Sequence, residues 1–305
     1  MKLEFKTLAE YMEYFKDEKT CRDFLAATRW RNGEFCPYCN HGQIYKFSDG
    51  KRYRCADCKR DFTVRNGTAF GDSKLPLRKW FIAIYLLGTS RKGISSYALA
   101  REIGVTQKTA WFMAHRIRAA KSQDGGMLSG TVEADETFIG GKSKNMHARR
   151  RRLVITGTGG TNKIPVLGAR ERGGEVRVQA VKSTDAPTLH KFVTARVTPQ
   201  STLYTDEWRG YNGLSRLYER GIVRHGVKEY VVGDCHTNSI ESFWAVLKRG
   251  YHGVYYWMSR KHLNRYLDEF AFRFNRRTKQ VSEVVGDILN GMSRMRNLTF
   301  RELTA

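Results

Sequence analysis

Three acidic side chains are spaced so that two predicted strands and one predicted helix would bring them together. Asp135 lies within the first predicted strand of the C-terminal half, Asp206 just past the fourth, and Glu241 in the first turns of a later helix. A carboxylate on a half-buried strand is costly unless it meets a cation or a polar partner. Taken singly, each acid could equally be an ordinary surface or ion-paired residue or part of a metal site. Together they predict a site for two Mg²⁺ or Mn²⁺ ions acting on phosphodiesters.

The helix predicted over 237–249 would carry further polar groups beside Glu241. Asn238 and Lys248 lie one turn before and two turns after it, on the same helical face. Such a face would bind metal and guide a DNA backbone, although Lys248 is also consistent with a solvated helix lysine. The opposite face is predicted to be buried and consists of Ile240, Phe243, Trp244 and Leu247.

Two CxxC pairs predict a metal site of a different kind. The pairs are Cys36 with Cys39 and Cys55 with Cys58. Four thiolates at this spacing suit one tetrahedral Zn²⁺ with no open coordination position, so the ion is expected to be structural. The basic residues around the second pair favour either a DNA-facing ribbon or a solvated face.

A helix, a turn glycine and a second helix are predicted between Ile94 and Arg118. Gly104 lies at the turn, and Thr106 is a suitable N-cap for the second helix. A helix-turn-helix unit would place the start of this second helix in the major groove of DNA. The base-reading residues would then be Gln107, Lys108 and Thr109. The alternative is an ordinary pair of packed helices.

Two more segments are candidates for contact with DNA. The basic run at 147–152 includes Arg149 and Arg150, and it is either a solvated loop or a phosphate-binding segment. The aromatic run at 255–257 could stack on an unpaired base, but core packing is the more common use of such residues.

The charge of the chain favours a polyanionic partner. Its 305 residues include 54 Lys and Arg against 30 Asp and Glu, giving a net charge of +24. Each phosphate neutralised by a basic side chain releases counterions, which favours DNA binding over a small-molecule substrate. The longest apolar run, at 80–88, is too short to cross a membrane, and the N-terminus lacks a secretory signal. A cytoplasmic, nucleoid-associated protein is expected.

The predicted elements define an α+β multidomain chain. Helices and a zinc ribbon are expected over 1–70, and a helical DNA-binding region over 71–125. Residues 126–305 are predicted to form one domain, in the order β-β-β-α-β-α-β-α, closed by two C-terminal helices. Its first three strands, near 131–139, 163–170 and 175–181, are expected to form an antiparallel meander. Helices are predicted over 186–196 and 211–219, with strands at 201–205 and within 222–232.

Four segments resemble a known family. They are CRDFLAATRWRNGEFCPYCNHG, VEADETFIGGK, LYTDEWRGYNGL and HTNSIESFWAVLKRGYHGVYYWMS. They are similar to the transposases of bacterial insertion sequences that pair an N-terminal zinc ribbon with a DDE domain, the type of insertion-sequence family 1595. The likeness covers about residues 6–277.

The resemblance implies a ribonuclease H-like domain with a mixed five-stranded sheet, and an enzyme that binds element ends, cleaves DNA and transfers 3′ ends into target DNA. It implies that Asp135 and Asp206 are the first two catalytic acids. Family members differ over the third, which makes Asn238 and Glu241 both candidates; the spacing and the chemistry of a carboxylate favour Glu241. The task of joining two ends implies at least a dimer. The alternative is a DNA-binding regulator without catalysis.

Overall fold

The computed structural model describes residues 3–121, 125–141, 145–155, 162–224, 231 and 233–304. The chain packs into two compact units, one made of residues 1–121 with 278–305 and the other of residues 122–277. Within the described segments, no helix combines the length and the apolar character needed to span a bilayer.

Helices and strands are numbered in chain order. The helices are α1 (Leu8–Tyr14), α2 (Glu18–Arg29), α3 (Leu77–Thr89), α4 (Ser96–Ile103), α5 (Gln107–Ala119), α6 (Ala148–Val154), α7 (Ala186–Thr194), α8 (Asn238–Gly250), α9 (Leu263–Asn275), α10 (Val281–Arg294) and α11 (Phe300–Thr304). The strands are β1 (Ile44–Lys46), β2 (Arg52–Cys55), β3 (Asp61–Thr63), β4 (Thr131–Ile139), β5 (Ile164–Glu171), β6 (Val176–Ala180), β7 (Thr202–Asp206) and β8 (Glu219–Val223).

The first unit is a helical core that carries the small sheet β1-β2-β3. Helix α10 packs on α3 and α2, and α3 packs on α5. Edge-to-face aromatic contacts join Phe15 to Phe24 and Phe81 within this core. The two helices predicted near the N-terminus are present as α1 and α2. Helices α10 and α11 lie in this unit, whereas the sequence-based division placed them in the domain over 126–305.

The second unit is built on a mixed five-stranded sheet with the order β6-β5-β4-β7-β8. Strands β4, β5 and β6 form the predicted antiparallel meander, while β7 pairs with β4 and with β8 in parallel. This sheet, together with the cysteine cluster and the helices, confirms the predicted α+β class.

The two faces of the sheet bury different residues of β4. Val132 and Ala134 pack with Leu189 and Phe192 of α7 on one face. The other face packs against α8 and α9 through a second apolar cluster, which includes Ile139 of β4. Since side chains alternate along a strand, Glu133 and Asp135 point to the side of α8, and Glu136 points to the side of α7.

A glycine on β5 lets α8 approach the sheet closely. Gly168 pairs with Asp135 across the β4–β5 ladder. A Cβ atom built on Gly168 would lie 2.6 Å from the indole ring of Trp244 and 3.0 Å from Ile240 Cδ1. Any larger residue would push α8 away from the strand that carries Asp135.

One sequence-based prediction for the second unit is wrong. Residues 211–219 are not a helix: two single turns of 3₁₀ helix occupy 209–211 and 214–216, and β8 already begins at Glu219. Gly213, with φ of 92°, interrupts the helical pattern that the apolar spacing suggested. Strand β8 overlaps the strand predicted within 222–232 at residues 222 and 223. Residues 225–230 and 232 of that range lie outside the described segments. Most of the basic run at 147–152 lies in the short helix α6.

Candidate functional site

The two candidate aspartates lie at the same level of adjacent parallel strands. The β4–β7 ladder pairs Thr131 with Thr202 and Glu133 with Tyr204. Continuing this register by two residues on each strand sets Asp135 beside Asp206, the last residue of β7. Asp135 lies two residues after Glu133 on β4, so its side chain points to the same face of the sheet, and Asp206 beside it on β7 points the same way. This is the face that α8 covers. Neighbouring strands are roughly 4.8 Å apart, which makes the two carboxylates near neighbours.

Helix α8 brings the third candidate carboxylate to the same side. The indole Nε1 of Trp244 donates a hydrogen bond of 2.9 Å to Asp135 Oδ2, which ties the buried face of α8 to β4. Glu241 is exposed, and its Oε1 accepts a hydrogen bond of 3.1 Å from the Thr237 hydroxyl. Asn238 and Lys248 are exposed too, while the predicted buried face is buried throughout. The helix therefore has the two faces that its sequence predicts.

Burial and mutual repulsion raise the pKa of two carboxyl groups at this site. Burial raises the pKa of Asp135 to about 6, and the negative charges of Asp206 and Glu241 contribute to the rise, against the hydrogen bond from Trp244. Burial likewise raises the pKa of Glu136 to about 7, with Asp206 and Asp135 adding to it. Among the described residues, no Lys or Arg forms an ion pair with Asp135. A bound cation would relieve this excess of negative charge.

The three acids do not form the compact cluster of ligand atoms that a single ion requires. In the described part of the chain, the four-cysteine cluster is the one group of at least three potential ligands whose atoms all lie within 4.8 Å of one another. The acids are therefore spread more widely than the ligands of a single ion. Two ions about 4 Å apart, each about 2.1 Å from its ligands, allow ligand atoms up to about 8 Å apart.

A fourth carboxylate, Glu133, fixes the start of α8. Its side chain is fully buried, and Oε2 accepts a hydrogen bond of 2.9 Å from the backbone N–H of Ile240. Arg172 donates from Nε to Glu133 Oε1 at 3.0 Å and from Nη2 to the carbonyl of His236 at 3.2 Å. Glu133 thus supplies the helix cap that the N-cap residue, Thr237, does not provide through its side chain. We name Glu133, Arg172 and the Ile240 N–H the α8 clamp.

The sequence-based reasoning missed Glu133 and Glu136 as site residues. Both lie within two residues of Asp135 in the sequence, but no role was predicted for either. The hydroxyl of Tyr211 donates to Glu136 Oε2 at 2.7 Å, and burial raises the pKa of Tyr211 well above its usual range, so this donor keeps its proton at neutral pH. The alternation of side chains along β4 could have identified them. Acidic residues that point to both faces of a buried strand need polar partners on both faces.

The four predicted cysteines come together in the first unit. The Sγ atoms lie 3.7 Å apart for Cys36 and Cys58 and 3.5 Å apart for Cys39 and Cys55. Zn–S bonds of about 2.3 Å in a tetrahedron require sulfurs roughly 3.8 Å apart, so the cluster suits one structural zinc ion. Asn40 and Lys59 have positive φ angles of 62° and 57°, which reverse the chain directly after each CxxC pair.

The predicted helix pair is present, but two of its three proposed base readers bond within the protein. Gly104 adopts a left-handed conformation between α4 and α5, and Thr106 caps α5. Gln107 Nε2 donates to Ser96 Oγ at 2.8 Å, and the hydroxyls of Thr106 and Thr109 lie 2.9 Å apart. Lys108 is exposed, although its ammonium lies over the Phe300 ring. Base reading by these residues stays a prediction.

The basic residues of α6 face solvent where they are described. Arg149, Arg151 and Arg152 are exposed, whereas the side chain of Arg150 lies outside the described part of the structure. Lys248 lines a cavity of about 410 Å³ with Lys163 and His252 at the end of β4. Glu136 lines the same cavity, so acidic and basic residues meet there.

Substituting one cysteine should remove the zinc. We expect the purified chain to hold one zinc ion, and Cys39→Ser to lose it, because Cys39 is exposed and a hydroxyl is a poor zinc ligand. Zinc content is measured by atomic absorption, with Cys235→Ser, outside the cluster, as the matched control. Full zinc occupancy in Cys39→Ser would contradict the assignment.

The raised pKa of Asp135 predicts a pH-dependent stability. Between pH 4 and 6 the unfolded chain releases this proton while the folded protein keeps it, so stability present at low pH is lost as the pH rises through 6. Without divalent ions, Asp135→Asn should be more stable than wild type at pH 8, by up to about 3 kcal/mol, and this gain should shrink toward pH 4.

Chemical denaturation with and without Mg²⁺ measures this effect. Mg²⁺ should stabilise the wild type at pH 8 and leave Asp135→Asn unchanged. Glu219→Gln is the control for the metal-free comparison, since its carboxylate is exposed on β8 and its loss should change metal-free stability little. A metal-free Asp135→Asn that is less stable than wild type at pH 8 would show that the carboxylate is not under electrostatic strain.

Comparison with known proteins places both units in one family. Residues 127–275 match the ISXO2-like transposase domain, and residues 16–61 match the transposase zinc-ribbon domain. The chain is 34% identical over 271 residues to an uncharacterized protein in transposable element ISH50 of Halobacterium salinarum, a match that covers 85% of this chain and 91% of that protein. The chain therefore belongs to the family of insertion-sequence transposases that join a transposase zinc ribbon to an ISXO2-like transposase domain.

Proposed function

We propose that this transposase binds the ends of its element, cleaves DNA and transfers the freed 3′ ends into target DNA in a reaction that requires Mg²⁺ or Mn²⁺. The observation that carries the proposal is the position of Asp135, Asp206 and Glu241 on one side of the sheet. Two come from rigid adjacent strands and one from a helix clamped to them. Rigid elements are what a metal site of defined geometry needs.

The donor set fits a pair of magnesium ions. Carboxylate oxygens are hard ligands, and Mg²⁺ takes one or two of them together with waters and substrate phosphates. Asp135, Asp206 and Glu241 would hold the ions. When bound, such ions activate an oxygen nucleophile and stabilise the leaving oxygen of an in-line displacement.

The protein side chains would orient two successive displacements at phosphorus. In the first, the oxygen of water bonds to phosphorus and the bond to the 3′ oxygen breaks, which frees the 3′ hydroxyl of the element. In the second, the oxygen of that hydroxyl bonds to the phosphorus of a target phosphodiester and the bond to the target's 3′ oxygen breaks, which leaves a 3′ hydroxyl on the target strand. Lys248 and Asn238, exposed on the face of α8 that carries Glu241, are suited to contact the DNA backbone.

The first unit is suited to hold DNA ends. The hairpin β1-β2 and the turn after Cys58 expose basic residues around the zinc-binding cysteines, among them Lys51, Arg52 and Arg54. Lys108 at the start of α5 would add contacts to phosphates or bases, and so would Arg149 in α6 of the second unit. We infer that two copies act together, since both ends of an element must be joined. We further infer that the protein works in the cytoplasm at the nucleoid, because its substrate is chromosomal DNA.

A strand-cleavage assay on DNA carrying the element ends tests this proposal. Asp135→Asn, Asp206→Asn and Glu241→Gln should each lower Mg²⁺-dependent nicking at least about 100-fold while end binding is kept, because each removes a charge that holds metal. Glu219→Gln, at an exposed acid of β8, is the matched control and should cut normally.

The same assay separates the two candidates for the third metal ligand. Asn238→Ala should weaken DNA contact and leave residual cleavage, whereas Glu241→Gln should not cut. The reverse pattern would assign the role to Asn238. End binding without any nicking by the wild type would instead support a DNA-binding regulator, and cleavage without strand joining would support a nuclease. Nicking that persists in all three acidic variants would show that these acids do not carry out the cleavage.

A further inference from the structure

The segment that follows the candidate catalytic helix has an unusual charge. No Asp or Glu occurs from residue 242 to residue 267, in a chain with 30 acids. Four basic residues of this stretch are exposed: Lys248, Arg249, Arg260 and Lys261. A surface on which basic side chains predominate attracts a polyanion.

Three consecutive aromatic residues in this segment have different environments. Tyr255 is half-buried, and its ring packs against Tyr266 and Phe270. Tyr256 and Trp257 are 74% and 70% exposed. Core packing therefore accounts for Tyr255 alone. Two adjacent large rings left in solvent point to a binding role, because Trp and Tyr are normally well buried.

The backbone holds these two rings outward in a fixed turn. Residues 251–255 form one turn of π helix, and Tyr256 then takes a positive φ of 57°. Its N–H donates to the carbonyl of Tyr251 at 2.7 Å, and Tyr251 and Met258 are buried on either side. A bulky residue in this region of φ is strained and persists only where its surroundings enforce it, and such strain is concentrated at functional sites.

We propose that Tyr256 and Trp257 form a stacking platform for an unpaired nucleobase of DNA, with the neighbouring basic residues holding its phosphates. The inference rests on the proposed function and adds a binding site for the strand being processed. Exposed aromatic rings bind bases that have left the duplex stack, whatever their identity, because every base has a π face. A preformed turn keeps the ordering cost of binding low.

The platform lies directly after the π-helical turn that follows α8, the helix that carries Glu241. Glu241 and Gly250, at the end of α8, are nine residues apart, which is roughly 14 Å along a helix. This length corresponds to roughly four nucleotide steps of 3.4 Å. The platform would therefore hold a base a few nucleotides from the phosphodiester at the acids, where strand separation at a cut end supplies unpaired bases.

Binding of fluorescent oligonucleotides to the full chain tests the proposal without any cleavage step. The probes are a 20-nucleotide single strand containing 2-aminopurine and a blunt duplex of the same sequence, without divalent ions in solution. Trp257→Leu keeps the apolar volume but removes the ring, and Trp257→Phe keeps a ring. We expect Trp257→Leu to weaken single-strand binding about tenfold and to abolish 2-aminopurine quenching. Trp257→Phe should largely restore both, and duplex affinity should change less than about twofold.

Three results would overturn the proposal. The first is unchanged single-strand binding and quenching in Trp257→Leu. The second is an equal loss of affinity for the single strand and the duplex in that variant. The third is a lower mass for Trp257→Leu than for wild type in light scattering without DNA, which would identify a second protein copy as the occupant. Failure of the proposed function would be seen separately, as cleavage that survives Asp135→Asn with Trp257 intact.

Discussion

The hydrogen bond from the Ile240 N–H to the buried carboxylate of Glu133 is the interaction on which the arrangement of the candidate site depends. It anchors the start of α8 to β4, and the bond from Trp244 to Asp135 secures the helix one turn later. Gly168 leaves the space in which the indole lies against the sheet. With α8 held at these points, Glu241 has a fixed position relative to both aspartates. Without them the helix would keep its apolar face but not its register on the sheet.

This arrangement concentrates negative charge in a protein that is otherwise strongly basic. Asp135 and Glu136 both keep their protons to a higher pH than usual, because burial and neighbouring acids disfavour their ionised forms. The fold tolerates this unfavourable charge because each acid accepts a hydrogen bond from a donor of its own. Arg172 donates to Glu133. Tyr211 donates to Glu136, and Trp244 donates to Asp135. Such strain is typical of a site that is completed by a cation, and the basic surface elsewhere suits the DNA on which the ions would act.

Local patterns in the sequence predicted most of the elements but not the contacts between them. The CxxC spacing and the apolar face of α8 identified the cysteine cluster and the orientation of the helix, since both depend on residues close in sequence. Strand alternation predicted β4 but did not show that Glu133 caps a helix more than 100 residues away, because that contact is tertiary. The helix expected over 211–219 failed for a local reason, the left-handed Gly213. The packing of α10 on α3 depends on an interface that no single segment encodes.

The most direct measurement is the anomalous scattering of Mn²⁺ in crystals of the protein with an uncleaved element end. The account predicts metal density within ligation distance of Asp135, Asp206 and Glu241 together, and its loss in Asp135→Asn crystals grown in the same way. Metal that binds without contact to Glu241, or the absence of metal between the two aspartates, would contradict it.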